Sequence, residues 1–274
     1  RYSASGARWD MTLKDEILEA WDEGEAEVSL LDDFLEALND GEVRAAEKRD
    51  GVWCANEWVK KGVLLNFSQR HNRALEYGGV TYHDKFALKD TSGFLERGTR
   101  NTPDGTVIRN GAYVGDSAIM MSPSFVNIGA YVGDGTLVDS CDTVGSCAQV
   151  GDDVKLGANT LVGGVLEPVE DAPVVIEEGV SLGAGCRVTS GFVVGEDCVV
   201  GENTLLNPSI PVYDLVEDEV VYGHVPAERR VMQRYVRSSV SERIDEDAFK
   251  PAAVATDLED ETLEKAQKED ALRA

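Results

Sequence analysis

Two carboxylates, Asp139 and Asp142, stand three residues apart in the stretch VDSCDTVGSCAQVG, Val138–Gly151. A carboxylate held on the outside of a packed scaffold can hold a cation or accept a proton. Asp139 is the informative one, because it directly follows an aliphatic residue, a slot that nearby repeats most often fill with glycine. Asp142 occupies a slot filled elsewhere by Ala, Ser, Thr or hydrophobic residues, and the sequence assigns it no role. The five cysteines (Cys54, Cys141, Cys147, Cys186, Cys198) form no CxxC pair and are odd in number. They are expected to be small buried thiols in a reducing compartment. The three histidines (His71, His83, His224) lie outside the repeat, which disfavours a histidine base on the scaffold. A trimeric zinc prism of the carbonic-anhydrase kind needs three interfacial histidines, and the repeat carries none, so no metal is expected.

The element that positions these groups is a six-residue period. Stepping by six from Ile108 gives Val114, Met120, Val126, Val132, Val138, Val144, Val150, Leu156 and Val162; after a break it resumes at Ile176, Leu182, Val188, Val194, Val200 and Leu206. All sixteen are apolar, and glycine follows nine of them. A helix repeats at 3.6 residues and a plain strand at 2, so neither fits. Hexapeptides of this kind build a parallel β-helix with three six-residue sides per coil. Sixteen hexads make about five coils, roughly 25 Å tall at about 4.8 Å per coil. Each aliphatic residue is expected to point inward, with the following glycine turning the corner in a backbone conformation other residues resist. The step from Val162 to Ile176 is fourteen rather than twelve, so GGVLEPVEDAPVV must loop out by two or more residues.

The rest of the chain frames this prism. Residues 11–100 read as a small, mostly helical α/β domain. Ile17, Leu18 and Trp21 share one apolar face, and Leu31, Phe34, Leu35 and Leu38 a second, with Gly24 between them. KRDGVWCANEWVKKGVLLNF reads as a turn, a short strand and a helix. Residues 1–10, which precede Met11, read as extraneous to the fold. The β-helix is assigned to 101–210, with its loop at 163–175. The remainder, 211–274, is expected to be a cap followed by an acidic tail, with the chain beyond Val240 a charged helix or partly disordered.

A formal charge of −25, from 51 acidic and 26 basic residues, excludes nucleic acid and anionic membranes as natural partners. No apolar run is long enough to span a bilayer and no signal-peptide pattern opens the chain, so the location expected is cytoplasmic. Carboxylates this dense need screening against self-repulsion, which points to a proteome adapted to high salt.

Several of these segments resemble one family. SPSFVNIGAYVGDGTLVDSCDTVGSCAQVG with VGGVLEP, AAEKRDGVWCANEWVKKGVLLNF, YHDKF and IPVYDLV are similar to tetrahydrodipicolinate N-succinyltransferase of the diaminopimelate route to lysine, over about residues 11–225. The resemblance implies a left-handed β-helix, a homotrimer with active sites between subunits, and succinyl transfer from succinyl-CoA, a cosubstrate rather than a bound cofactor. The acceptor is the amine of ring-opened tetrahydrodipicolinate, 2-amino-6-oxopimelate. It places the substrate amine on Asp139, also the candidate proton acceptor, and a substrate carboxylate on Arg100. Glu167 of the LEP loop is a further groove candidate. Many members carry a glutamate as partner of the aspartate; the aligned position in LGAGCRVTSG is Arg187, a candidate for a substrate carboxylate or a CoA phosphate. The alternatives are the related N-acetyltransferase, using acetyl-CoA, and a hexapeptide-coil protein without catalysis.

Overall fold

Successive side chains of a strand alternate, so in each two-residue strand one residue faces in and its predecessor faces out. In the computed structural model, which describes residues 6–237 and 248–259, all sixteen hexad aliphatics are buried in one core. Strands one coil apart pair in parallel: Leu137–Val138 lies between Ile119–Met120 below and Lys155–Leu156 above. Three sheets result, carrying Val114, Val138 and Val144 on their respective faces. The fold is a left-handed parallel β-helix with a small helical α/β domain ahead of it.

The glycine after each aliphatic serves a purpose other than the expected one. None of the hexad glycines that follow Val114, Val132, Val144, Val150 or Leu156 has positive φ. The left-handed residue comes two positions later, as at Cys141 (φ 66°) and Asn159 (φ 63°). What glycine supplies is clearance: a Cβ on Gly157 would stand 2.7 Å from the Ala184 nitrogen and 2.8 Å from the Leu182 oxygen of the next coil. Backbone cannot give way as a flexible side chain can, so the slot selects against a Cβ.

The coils also give the two departures from the period their measure. Val162 is followed directly by Ile176 on the adjacent face, so the insertion holds eight residues beyond one hexad, within the two or more expected. After Leu206 the register does not fade. It resumes at Val225 and Val231, which continue the Val114 and Val138 faces, with His224 on the last strand of the former. The Val114 and Val144 faces therefore carry six coil strands each, and the Val138 face carries seven parallel strands, from Arg100–Asn101 to Arg229–Arg237, before it continues into the cap.

The N-terminal domain holds α1 (Gly6–Glu23), α2 (Val28–Asn39) and α3 (Glu57–Gln69). The first helix begins at Gly6, ahead of Met11. Ile17, Leu31, Phe34, Leu35, Leu38 and Val63 form its core, which is continuous with Ile128 and Cys147 of the coils. The segment before α3 is a hairpin, Ala46–Arg49 with Val52–Ala55, rather than one strand. Arg44 stacks 3.7 Å over the Tyr131 ring and donates to Gln149 Oε1, and Lys48 and Trp53 both donate to Glu177. These contacts set the domain against the Val114 face. Lys60 of α3, fully buried, donates to the carbonyls of Pro168 and Asp171 and so fastens the 163–175 loop.

The cap adds a reversed layer. Arg229–Arg237 continues the Val138 face in parallel, then pairs antiparallel with Phe249–Asp257, which returns to Val212–Asp214. Phe249–Asp257 is thus a strand where a helix or disorder is expected; Ala252, Ala253 and Ala255 are its buried residues. The rest of the acidic tail, from 260, lies outside the described residues.

Candidate functional site

The N-terminal domain covers the Val114 face, so the corner between the Val138 and Val144 faces lies away from it. Its wall is built by the outward residues of each strand. On the Val138 face these are Arg100, Ile119, Leu137, Lys155, Ser181 and Val199; on the Val144 face, Val107, Phe125, Thr143, Leu161, Arg187 and Leu205. Asp139 and Asp142 begin and end the corner joining Leu137–Val138 to Thr143–Val144.

That corner is closed by several hydrogen bonds. The Asp142 N–H donates to the Asp139 carbonyl at 3.3 Å. In return the Asp139 N–H donates to Asp142 Oδ2 at 2.7 Å. Asp142 Oδ1 accepts the Thr160 N–H of the coil above, also at 2.7 Å. Asp139 Oδ1 accepts from the Ser140 N–H at 2.7 Å, and the Cys141 N–H donates down to the Pro123 carbonyl. Asp139 is half-buried and Asp142 is 1% exposed. Burial, with the nearby Asp139 charge, pushes the Asp142 carboxyl up to about 8, against the two N–H donors that favour its ionised form.

Arg100 is exposed on the Val138 face, paired with Ile119, which pairs in turn with Leu137. It stands two coil steps below the Asp139 row, about 10 Å along the axis. The Asp139–Arg100 pair therefore shares one side of the prism. Arg187 is exposed two coil steps above Thr143 on the Val144 face, and its Nη1 donates to the Gly185 carbonyl at 3.1 Å. Glu167 is exposed in the loop at the opposite edge of the Val144 face, so one chain does not bring it to Asp139. His224 is exposed on the Val114 face near the cap, likewise apart from the corner.

The cysteines divide by burial. Cys147, Cys186 and Cys198 are buried and free, their thiols pushed up to about 12, 11 and 12 by desolvation, so they are inert at neutral pH. Cys54 is half-buried, and Cys141 is exposed beside Asp139, which departs from the expectation that all five are buried. Among the described residues, no group of three or more His, Cys, Asp or Glu is placed to hold a metal ion, and no helix is long and apolar enough to cross a membrane. Two residues that sequence reasoning left without a role belong to this description. Asp142 holds the Asp139 corner, a relation visible in the eighteen-residue coil period that sets Thr160 above it. Lys60 holds the Glu167 loop, and no motif marks it.

Comparison with known proteins gives the corner its context. Residues 12–68 match the family model described as tetrahydrodipicolinate N-succinyltransferase N-terminal. Proteins named 2,3,4,5-tetrahydropyridine-2,6-dicarboxylate N-succinyltransferase are similar over two thirds of the chain. That of Dechloromonas aromatica is 42% identical over 188 residues, covering 67% of this chain and 68% of the relative. That of Ralstonia nicotianae is 46% identical over 190 residues, with 68% of each chain covered. The chain belongs to the tetrahydrodipicolinate N-succinyltransferase family. A solved Campylobacter jejuni structure, named for 2,3,4,5-tetrahydropyridine-2-carboxylate N-succinyl transfer, agrees in fold at a TM-score of 0.51. It is 15% identical, and the match covers 84% of this chain and 63% of that one. The N-succinyltransferase model that matches the N-terminal domain ends within α3, one residue before its last. The match thus covers most of the N-terminal domain, which packs on the Val114 face through Arg44, Lys48 and Trp53.

Proposed function

We infer that this enzyme transfers the succinyl group of succinyl-CoA to the amine of ring-opened tetrahydrodipicolinate, the step that commits this intermediate to the diaminopimelate route to lysine. The observation that carries the reading is the 42–46% identity to N-succinyltransferases across two thirds of the chain. The acid-bearing corner and the arginine on the same side of the prism supply the groups the reaction requires.

Direct transfer needs few parts. The substrate ammonium first loses a proton, and Asp139 is the group in place to hold it and accept that proton. The amine lone pair then forms the N–C bond at the thioester carbon. The resulting oxyanion is met by backbone N–H donors of the glycine-rich coils. As the intermediate collapses, the C–S bond breaks and the electron pair leaves on the CoA sulfur, which takes up the second proton from the nitrogen to leave a neutral amide and free CoA thiol. No enzyme nucleophile enters, so the inert buried thiols are spectators. Arg100 pairs with a substrate carboxylate, for which its planar fork is suited. Arg187 is a candidate for a substrate carboxylate or a CoA phosphate, and Glu167 a candidate for the part of the groove that a neighbouring subunit would complete.

The working form we propose is a homotrimer in the cytoplasm with sites between subunits. In support, the outward rows carry half-buried apolar side chains, among them Ile119, Phe125, Leu161, Val199 and Leu205, which side-by-side packing would remove from water. The deciding assay compares CoA release with succinyl-CoA and acetyl-CoA in the presence of the amine acceptor. Succinyl-CoA is expected to be preferred at least tenfold in kcat/KM. Equal or better use of acetyl-CoA would move the enzyme to N-acetyl transfer, and release with neither thioester would leave a scaffold protein.

A further inference from the structure

The corners stacked with the Asp139 corner show what the scaffold ordinarily uses there. The first residue of each is Met121, Gly157, Gly183 or Gly201, and its N–H donates to the aliphatic carbonyl of the coil above: Val138, Leu182, Val200 and Val231 respectively. The fourth residue of the corner is Thr160 or Thr204 in two of them, and each threonine hydroxyl donates back to the carbonyl of the corner's first residue, Gly157 or Gly201. The Asp139 corner runs the side-chain contact the other way. There the fourth residue is an acceptor, and its carboxylate takes the N–H of the first residue and the N–H of Thr160 above.

A carboxyl that is 1% exposed is costly in a packed interior. Since threonine serves the equivalent corners, coil stacking alone does not call for an acid at 142. What distinguishes this corner is that its first residue is Asp139. We propose that Asp142 is a positioning residue for Asp139, fixing the backbone from which the Asp139 carboxylate is presented to the substrate amine. The inference rests on the reading that Asp139 serves that amine. Burial, with the Asp139 charge nearby, also raises the Asp142 carboxyl to about 8, as expected of an acid enclosed by the corner it closes.

The test separates positioning from scaffolding. Asp142→Thr installs the side chain that the corners at Gly157 and Gly201 already use, so a merely structural role is rescued by it. The expected result is a kcat for succinyl-CoA turnover lowered tenfold or more, with both KM values within about threefold of the parent and the thermal midpoint preserved. Asp142→Asn, of the same shape but unable to accept both N–H groups, should lower kcat in the same direction. Parental kcat in either folded variant overturns the inference. Loss of the fold in both variants overturns it as well, by assigning Asp142 to the scaffold. The parent enzyme is assayed alongside: if it turns over succinyl-CoA and the Asp142 variants match it, only the positioning role falls; if the parent is inert, the functional reading falls and takes this role with it.

Discussion

The corner after Val138 and the corner after Leu156 lie one above the other and face the same side of the prism. Both bring a left-handed residue in at the same place, Cys141 and Asn159, and both lead into the Val144 face. Yet one begins with a carboxylate and the other with Gly157. In the upper corner the first N–H joins the parallel ladder and a threonine closes the turn. In the lower one, two carboxylates and three backbone N–H groups close it. The backbone path is common property of the coil; the chemistry is local, carried by the side chains at the first and fourth positions of one corner. A solenoid can therefore host a site at one corner because its other corners hold the register.

Three measurements sharpen or break this contrast. The largest effect is expected from Asp139→Asn. Loss of a positioned proton acceptor typically costs about 10²–10⁴ in rate, so kcat should fall at least a hundredfold while the thermal midpoint and oligomeric state stay those of the parent. Full turnover would make the two corners equivalent in function. Next is Gly157→Ala, which asks whether the upper corner can accept a side chain at all. Its Cβ would meet backbone atoms of the next coil at 2.7 and 2.8 Å, and overpacking of this kind costs about 1–3 kcal/mol. Denaturant titration should report that loss, and an unchanged midpoint would show that the glycine is not needed for clearance. The last effect concerns pH and is spread over several units. A carboxyl near 8 when folded, and about 4 when unfolded, binds more protons in the folded chain between those values. The folded state then loses stability as pH rises through that window, by at most about 1.4 kcal/mol per unit. Relative to Asp142→Thr, the parent should become steadily less stable from pH 5 to 8 in parallel unfolding curves. Parallel pH dependence of the two proteins would mean that Asp142 titrates normally.

The hexads made the prism legible from sequence because every aliphatic position is required by one core, and none of the sixteen is exposed. Val225 and Val231 escaped because the excursion after Leu206, which carries the Val212–Asp214 and Glu219–Val221 strands, breaks the count of six. Phe249–Asp257 escaped because its stability comes from partners distant in sequence, Arg229–Arg237 and Val212–Asp214, and flanking charge masks its short apolar run. The glycines were found for the wrong reason: a repeat reveals that a slot is small, but only the adjacent coil tells whether conformation or clearance demands it. Asp139 was legible as an exception to a pattern. The role of Asp142 was not, since an acid among small and apolar residues reads as noise until the backbone amides that it accepts from are placed around it.

The cap gives this architecture an end. A stack of parallel coils is open-ended by nature, and the last ladder of one molecule is a template for the first ladder of another. Here the sheet of the Val138 face reverses after its seventh parallel rung, Arg229–Arg237, which pairs antiparallel with Phe249–Asp257. On this face an incoming coil would meet a strand of reversed polarity with its partner already in place. The reversed strand thus terminates one of the three ladders along which further coils could be added.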